Sequence, residues 1–462
     1  MNASKGEIQA GNAPIKQRVF ALLITIGLTG LICWGVIFSG NLSGRGAYDD
    51  LLYHWVAVNQ FAQQWPSPDL GDYASATTPG YHLLLAPLVH AGLDHTGAQL
   101  VASAWTLALM GLLCWIVSRS WGLASAALML PMIASLYVIF PGIWLLPDNA
   151  GWFFVLSVLL LALRSRAGWG VWAISGLLLV ALVWMRQVHI WAAAPIWLTA
   201  WLGSSEMTPH SLRSFFGDPL KRAGRTIIAQ GCTIPAFVML VWFLVTWGGL
   251  VPPTFQDMHQ GPNPATPGFM LMQLAILSAF FAPLLLPRLI KIWTQHWRLV
   301  LFAAIAGLLL GVLPSSSYSE ADGRFGGWWN ILGKLPTIAD RSPFFVLGSI
   351  GGSIALALWL SLASRRDIWI WLGVLVAFSL AQSANHASWQ RYHEPLLLMM
   401  IVLIIARSGE LDRVRIRAVI GSAVLAMMLG AITINSMRNA KPIEQSMSKP
   451  PMSAKFAQTG LE

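Results

Sequence analysis

Charge is scarce in this chain. Asp, Glu, Lys and Arg make up 10% of its 462 residues, against about 25% in ordinary soluble domains. Such a chain cannot clothe a string of soluble domains, and long apolar runs recur along its length instead. Acid is scarcer still, with 19 carboxylates. Cysteine is nearly absent: Cys33, Cys114 and Cys232 all lie in apolar runs, without a C-x-x-C pattern. That excludes a disulfide framework and a Cys-type zinc site. No repeat of 20 to 50 residues and no low-complexity tract occurs, so solenoid architectures are excluded as well.

The composition is 56% hydrophobic, with a mean hydropathy of +0.62. The pattern reads as an all-α polytopic integral membrane protein with about thirteen transmembrane helices. The expected spans are 19–39, 97–117, 122–140, 150–164, 168–184, 188–203, 226–248, 269–287, 298–313, 344–362, 368–384, 395–407 and 418–435. Residues 1–18 read as a cytoplasmic N-terminus, 19–435 as one membrane domain, and 436–462 as a polar, disordered tail. The net charge of +10 does not indicate nucleic acid, because the basic residues come as short clusters between apolar runs. That is the pattern of positively charged cytoplasmic loops. It places the longer segments 40–96, 249–268 and 314–343, and the short segment 385–394, on the extracytoplasmic side of a plasma or inner membrane. The small-residue pair Gly348 and Gly352 in "GSIGG" reads as a close helix contact.

A charge at bilayer depth costs roughly 2.5–3.5 kcal/mol on insertion scales, so each exception is a candidate for function. The first is "GAYDDLLYHW", residues 46–55. Apolar spacing from Asp49 to Trp65 predicts an amphipathic juxtamembrane helix. Asp50 and His54, four apart, share a face and form a base with its orienting partner. Asp49 reads equally as the helix N-cap or as a helper. The second is "DYASATTPGYHLLLAPLVH", residues 72–90. Here Asp72, Thr77 and Thr78, candidate substrate-binding residues, lead into a short apolar helix, too short to span. The hydroxyls and Gly80 let a sugar or phosphate approach backbone N–H groups; a plain helix-start signal is the alternative.

Asp148 in "WLLPDNAGW" either orients a substrate hydroxyl or caps the following span. Arg186 and Gln187 in "WMRQVHIW", Arg341 in "TIADRSPFF" and Arg391 in "SWQRYHEP" are cations on the side where topology predicts few. Guanidinium suits a phosphate through charge-assisted bidentate bonds; snorkelling to the interface is the plainer alternative. A carboxylate pair Asp49–Asp50 suits Mg²⁺ or Mn²⁺ together with substrate phosphate, although nothing in the spacing requires a metal.

These residues resemble the C-type glycosyltransferases, most of all the α-1,2-glucosyltransferases that use dolichyl-phosphate glucose. That family's Asp-Glu-x-x-His resembles Asp50-Leu51-Leu52-Tyr53-His54. Its Thr-Thr-Pro-Pro-Gly resembles Thr77-Thr78-Pro79-Gly80, and its Arg-Gln pair resembles Arg186-Gln187. Its Ala-Asp-Asn-Arg and Arg-Tyr segments resemble Ala339-Asp340-Arg341 and Arg391-Tyr392. The matches run in order from about residue 48 to 395; Leu51 departs from the family's Glu, and one proline is missing. The resemblance implies an inverting glycosyltransferase moving a hexose from a polyprenyl-phosphate donor to a lipid-linked or small glycan acceptor. Asp50 and His54 are its expected base, and Arg186, Arg341 and Arg391 its phosphate ligands. The alternatives are a transporter or flippase of a lipid-linked or polar solute, and a glycan ligase or polymerase.

Overall fold

The computed structural model describes residues 13–164, 168–203, 215–258, 261–408 and 411–441. Among them the chain is helical, with two isolated β-bridges and no strand. In chain order the helices are α1 (Ile15–Phe38), α2 (Gly44–Asp49), α3 (Trp55–Gln63), α4 (Gly80–His90), α5 (His95–Trp121), α6 (Ser125–Ala134), α7 (Leu136–Ile143), α8 (Asp148–Ala162) and α9 (Trp169–Met185). Then come α10 (Ala193–Leu202), α11 (Pro219–Trp247), α12 (Thr266–Ala279), α13 (Ala282–Val312), α14 (Trp328–Leu332), α15 (Pro343–Leu360), α16 (Arg365–Ser383), α17 (Gln390–Arg407) and α18 (Leu411–Arg438).

This is a polytopic α-helical membrane protein. Among the described residues six stretches are long and apolar enough to cross a bilayer: α1, His95–Ala134, α11, α13, α15 and Val414–Arg438. A seventh is α7 with α8, if that pair, bent by 119°, is one span. The thirteen expected spans exceed this number because many apolar runs are interrupted. The run at 122–140 breaks at Ser135, whose backbone is extended. The 17 residues of α9 end at extended Arg186, and a 3-10 turn comes next. The expected tail, 436–462, lies mostly outside the described residues.

The core forms around α17, whose side chains are buried almost without a break from Tyr392 to Ala406. A helix apolar on every side is stable only when surrounded by others. Its charged groups lie toward its ends, with Glu394 in the second turn held by Ser135 and Gln390. At one end Arg407 makes a two-pronged contact with Asp367, at 2.8 and 3.1 Å. At the other end stand Arg391 and Tyr392. By contrast, α11 turns Ile227, Val238 and Val245 outward, as a helix facing lipid must.

The "GSIGG" pair works as the small-residue rule requires. A Cβ built at Gly352 would lie 1.8 Å from the Leu271 carbonyl oxygen of α12, and one at Gly348 would lie 2.4 Å from the Met272 side chain. Only hydrogen lets α12 and α15 approach this closely. Gly352→Ala should therefore cost about 1–3 kcal/mol, the usual range for overpacking. A thermal melt in detergent checks this; an unchanged melting temperature would count against the contact.

Candidate active site

The amphipathic segment expected from Asp49 to Trp65 forms, but not as one regular helix. Between α2 and α3 the residues Asp50–His54 make a single π-turn. One extra residue in a helical turn rotates the next helix by about 100° relative to an uninterrupted one, and such turns concentrate at functional sites. The apolar side of α3 packs Ala57, Phe61 and Ala62 against α4. The same packing sends the two aspartates in different directions.

Asp50 is fully buried and turned away from open space. Its carboxylate accepts hydrogen bonds from His95, at 3.0 and 3.1 Å, and from Gln99 at 3.0 Å, both on α5. The expected Asp50–His54 pair is thus replaced: His54 Nδ1 instead lies 2.9 Å from His82 Nε2 on α4. Sharing a helix face permitted the pair, but each member meets a closer partner on a neighbouring helix. Asp49 takes the position facing the cavity. It is no side-chain cap, for the cap of α2 is Ser43 and the π-turn makes no side-chain cap bond. One oxygen of Asp49 lies 2.8 Å from Arg391 and the other 3.0 Å from Arg45, one helical turn back.

A cavity of about 270 Å³ opens beside this cluster. Its polar wall holds Arg45, Asp49, His54, Asp148, Arg186 and Arg391; Ile190, Leu240, Val251 and Phe255 supply an apolar wall. A second cavity, of about 520 Å³, shares Arg45, Asp49, Asp148, Trp389 and Arg391 with the first. It extends toward Tyr137, Phe325, Asn330 and Gln390. The Asp49–Arg391 pair therefore stands between two spaces.

The polar wall is built from helix ends. Asp148, in the first turn of α8, bonds to Arg186, which closes the C-terminus of α9. A carboxylate at a helix N-terminus also interacts favourably with the helix dipole. The Arg186 and Arg391 guanidiniums each lie 5.1 Å from the Tyr392 ring centroid, within cation–π range. The Tyr392 hydroxyl accepts from Arg391 at 3.2 Å. Among the described residues the Arg391 Nε–H has no acceptor, so this guanidinium keeps a donor to spare.

Other expected site residues have supporting or separate places. Thr77 lines the first cavity. The Thr78 amide donates to Gln187 Oε1 at 3.0 Å and its hydroxyl to the Val183 carbonyl at 2.7 Å. Gln187 Nε2 in turn donates to the Ala76 and Leu250 carbonyls, so Thr78 and Gln187 latch the first loop to the end of α9. Asp72 accepts from the Thr254 hydroxyl at 2.7 Å, tying that loop to the 249–258 segment. Gly80 serves helix contact rather than a ligand, since a Cβ there would lie 2.1 Å from the Trp184 ring.

Arg341 does not join the cluster. Ala339 and Asp340 take positive φ, 48° and 61°, and this tight turn folds Arg341 back onto the C-terminus of α13. There it donates to the Val312 and Leu313 carbonyls at 3.0 and 3.3 Å, which satisfies carbonyls that a helix end leaves free. Arg45 is the third cation instead. Its spacing of four from Asp49 was the available sequence signal. His82, His95 and Gln99 carried no such signal, because their partners lie 28 to 49 residues away in sequence.

Burial holds the His54 imidazole down to about 4, despite the nearby Asp49 carboxylate. His54 is therefore neutral near pH 7. No three His, Cys, Asp or Glu side chains gather as a metal-binding set among the described residues. The Asp49–Asp50 pair does not fit Mg²⁺ or Mn²⁺, because its two carboxylates point apart and each is already engaged. No family model, curated protein or solved structure matches the chain.

Proposed function

We propose that this protein is an inverting glycosyltransferase that uses a polyprenyl-phosphate sugar at the extracytoplasmic membrane face. One observation carries the reading: a carboxylate, Asp49, stands between two cavities beside the guanidiniums of Arg45 and Arg391, with Arg186 in the wall of the first cavity. The donor occupies the first cavity, with its phosphate toward Arg186 and Arg391 and its isoprenoid toward Leu240, Val251 and Phe255. A lipid-linked or small glycan acceptor enters from the second. In this reading the shorter apolar helices complete the thirteen-span bundle.

The acceptor hydroxyl oxygen attacks the anomeric carbon as the bond from that carbon to the phosphate oxygen breaks. The phosphate leaves with the bonding electrons, and its charge is met by guanidiniums already in position. Asp49 receives the hydroxyl proton as general base. Attack opposite the leaving group inverts the anomeric centre. Arg391 donates to one oxygen of Asp49 and Arg45 lies 3.0 Å from the other, which fixes the carboxylate between the two cavities. No step uses a metal, so transfer should persist unchanged in excess chelator; loss of activity restored by Mg²⁺ or Mn²⁺ would require a cation site that this donor set does not supply.

The decisive experiment gives purified protein a radiolabelled polyprenyl-phosphate hexose together with candidate glycan acceptors. Transfer of a single hexose supports the reading. Movement of intact lipid-linked solute across a vesicle membrane, without sugar transfer, would favour a flippase instead.

A further inference from the structure

His54 and His82 lie edge to edge, with ring centroids 5.2 Å apart and planes 15° from parallel. The 2.9 Å between His54 Nδ1 and His82 Nε2 requires one proton between them. Burial pushes both imidazoles below their ordinary range, so each ring is neutral near pH 7 and carries one N–H.

Two arrangements meet that condition. If His54 donates from Nδ1, His82 must carry its own proton on Nδ1. That atom is buried and has no partner among the described residues. An orphaned buried N–H is rare in folded proteins, because the donor gives up its bond to water and gains nothing. If His82 donates from Nε2, its Nδ1 is a bare lone pair, and an under-satisfied acceptor is the more tolerable of the two. The His54 proton then lies on Nε2. His54 lines the first cavity and is only half-buried, so Nε2 is the ring nitrogen left to face a ligand.

We infer that His82 is a positioning residue that holds His54 as the Nε2–H tautomer, making His54 a hydrogen-bond donor to a ligand oxygen rather than a base. This rests on reading the cavity as the sugar-transfer site. It also divides the labour there. His54 has no free lone pair with which to take the acceptor proton, which leaves that task to Asp49, while a neutral N–H beside the guanidiniums adds a directed donor without adding charge.

The test pairs a structural readout with a kinetic one. Solid-state NMR of ¹⁵N-histidine-labelled protein in bilayers should show His54 protonated on Nε2 and bare on Nδ1. His82→Gln keeps an amide N–H to donate; His82→Met fills the space without one. The Met variant should lose roughly tenfold to a hundredfold in kcat, with little change in KM, and the Gln variant should stay within about threefold of wild type. A His54 proton found on Nδ1, or equal losses in the two variants at equal melting temperature, overturns the inference. A wild-type protein that shows the Nε2–H tautomer but transfers no sugar would sink the glycosyltransferase reading and leave the tautomer assignment standing.

Discussion

Asp49→Asn should lower sugar transfer by roughly 10²–10⁴, the usual loss when a general base is removed, while the protein still folds and reaches the membrane. The amide is isosteric with the carboxylate. Its oxygen can still accept from Arg391, which now donates at 2.8 Å. What disappears is the ability to take a proton. Asp50→Asn is the necessary contrast. Asp50 is fully buried and holds His95 and Gln99 on α5, so its replacement disturbs a packed polar contact. The expected cost is about 1–3 kcal/mol of stability, from a buried group losing a matched partner, with a smaller effect on turnover. Transfer by detergent-purified variants, normalised to folded protein, separates the two. Full activity in Asp49→Asn together with inactivity in Asp50→Asn would return the base to Asp50.

Arg391→Met should be the most destabilising substitution in the site. Asp49 is 5% exposed, and without Arg391 its one charged partner among the described residues is Arg45, whose side chain is 65% exposed. Removing one member of a buried ion pair typically costs about 3–5 kcal/mol, because the remaining charge is stranded. Arg391 is 27% exposed to the cavity, so roughly 2–4 kcal/mol is expected here. Transfer should also be lost, since in the proposed reaction the same guanidinium meets the leaving phosphate. The double variant Asp49→Asn/Arg391→Met strands no charge and should melt above Arg391→Met alone, a coupling that a double-mutant cycle reads directly. Arg391→Lys should regain stability but not turnover, because an ammonium lacks the planar fork that bridges Asp49 and Tyr392. Additive melting temperatures across the cycle would show that the pair is not energetically coupled.

Much of the molecule was legible in the chain itself. Long apolar runs make helices that must be covered by lipid or by one another, and the helix from Asp49, the short α4 and the close packing at Gly352 all arise from local spacing. Most of the cluster was legible too. Asp148, Arg186 and Arg391 attract notice because charge at bilayer depth is costly wherever it appears.

Their partners were not legible, and neither was the choice between adjacent aspartates. Successive residues on a helix point about 100° apart, so which of Asp49 and Asp50 meets the cavity depends on the rotation of the helix. A π-turn and the packing of α3 on α4 set that rotation. Arg341 left the cluster because a left-handed turn aimed it at a helix end. Arg45 entered it because one helical turn carries it onto Asp49. Spacing along the chain determined which residues share a helix face. Where that face points, and what it meets there, was decided by contacts between segments far apart in sequence, through which a buried polar group must find its partner.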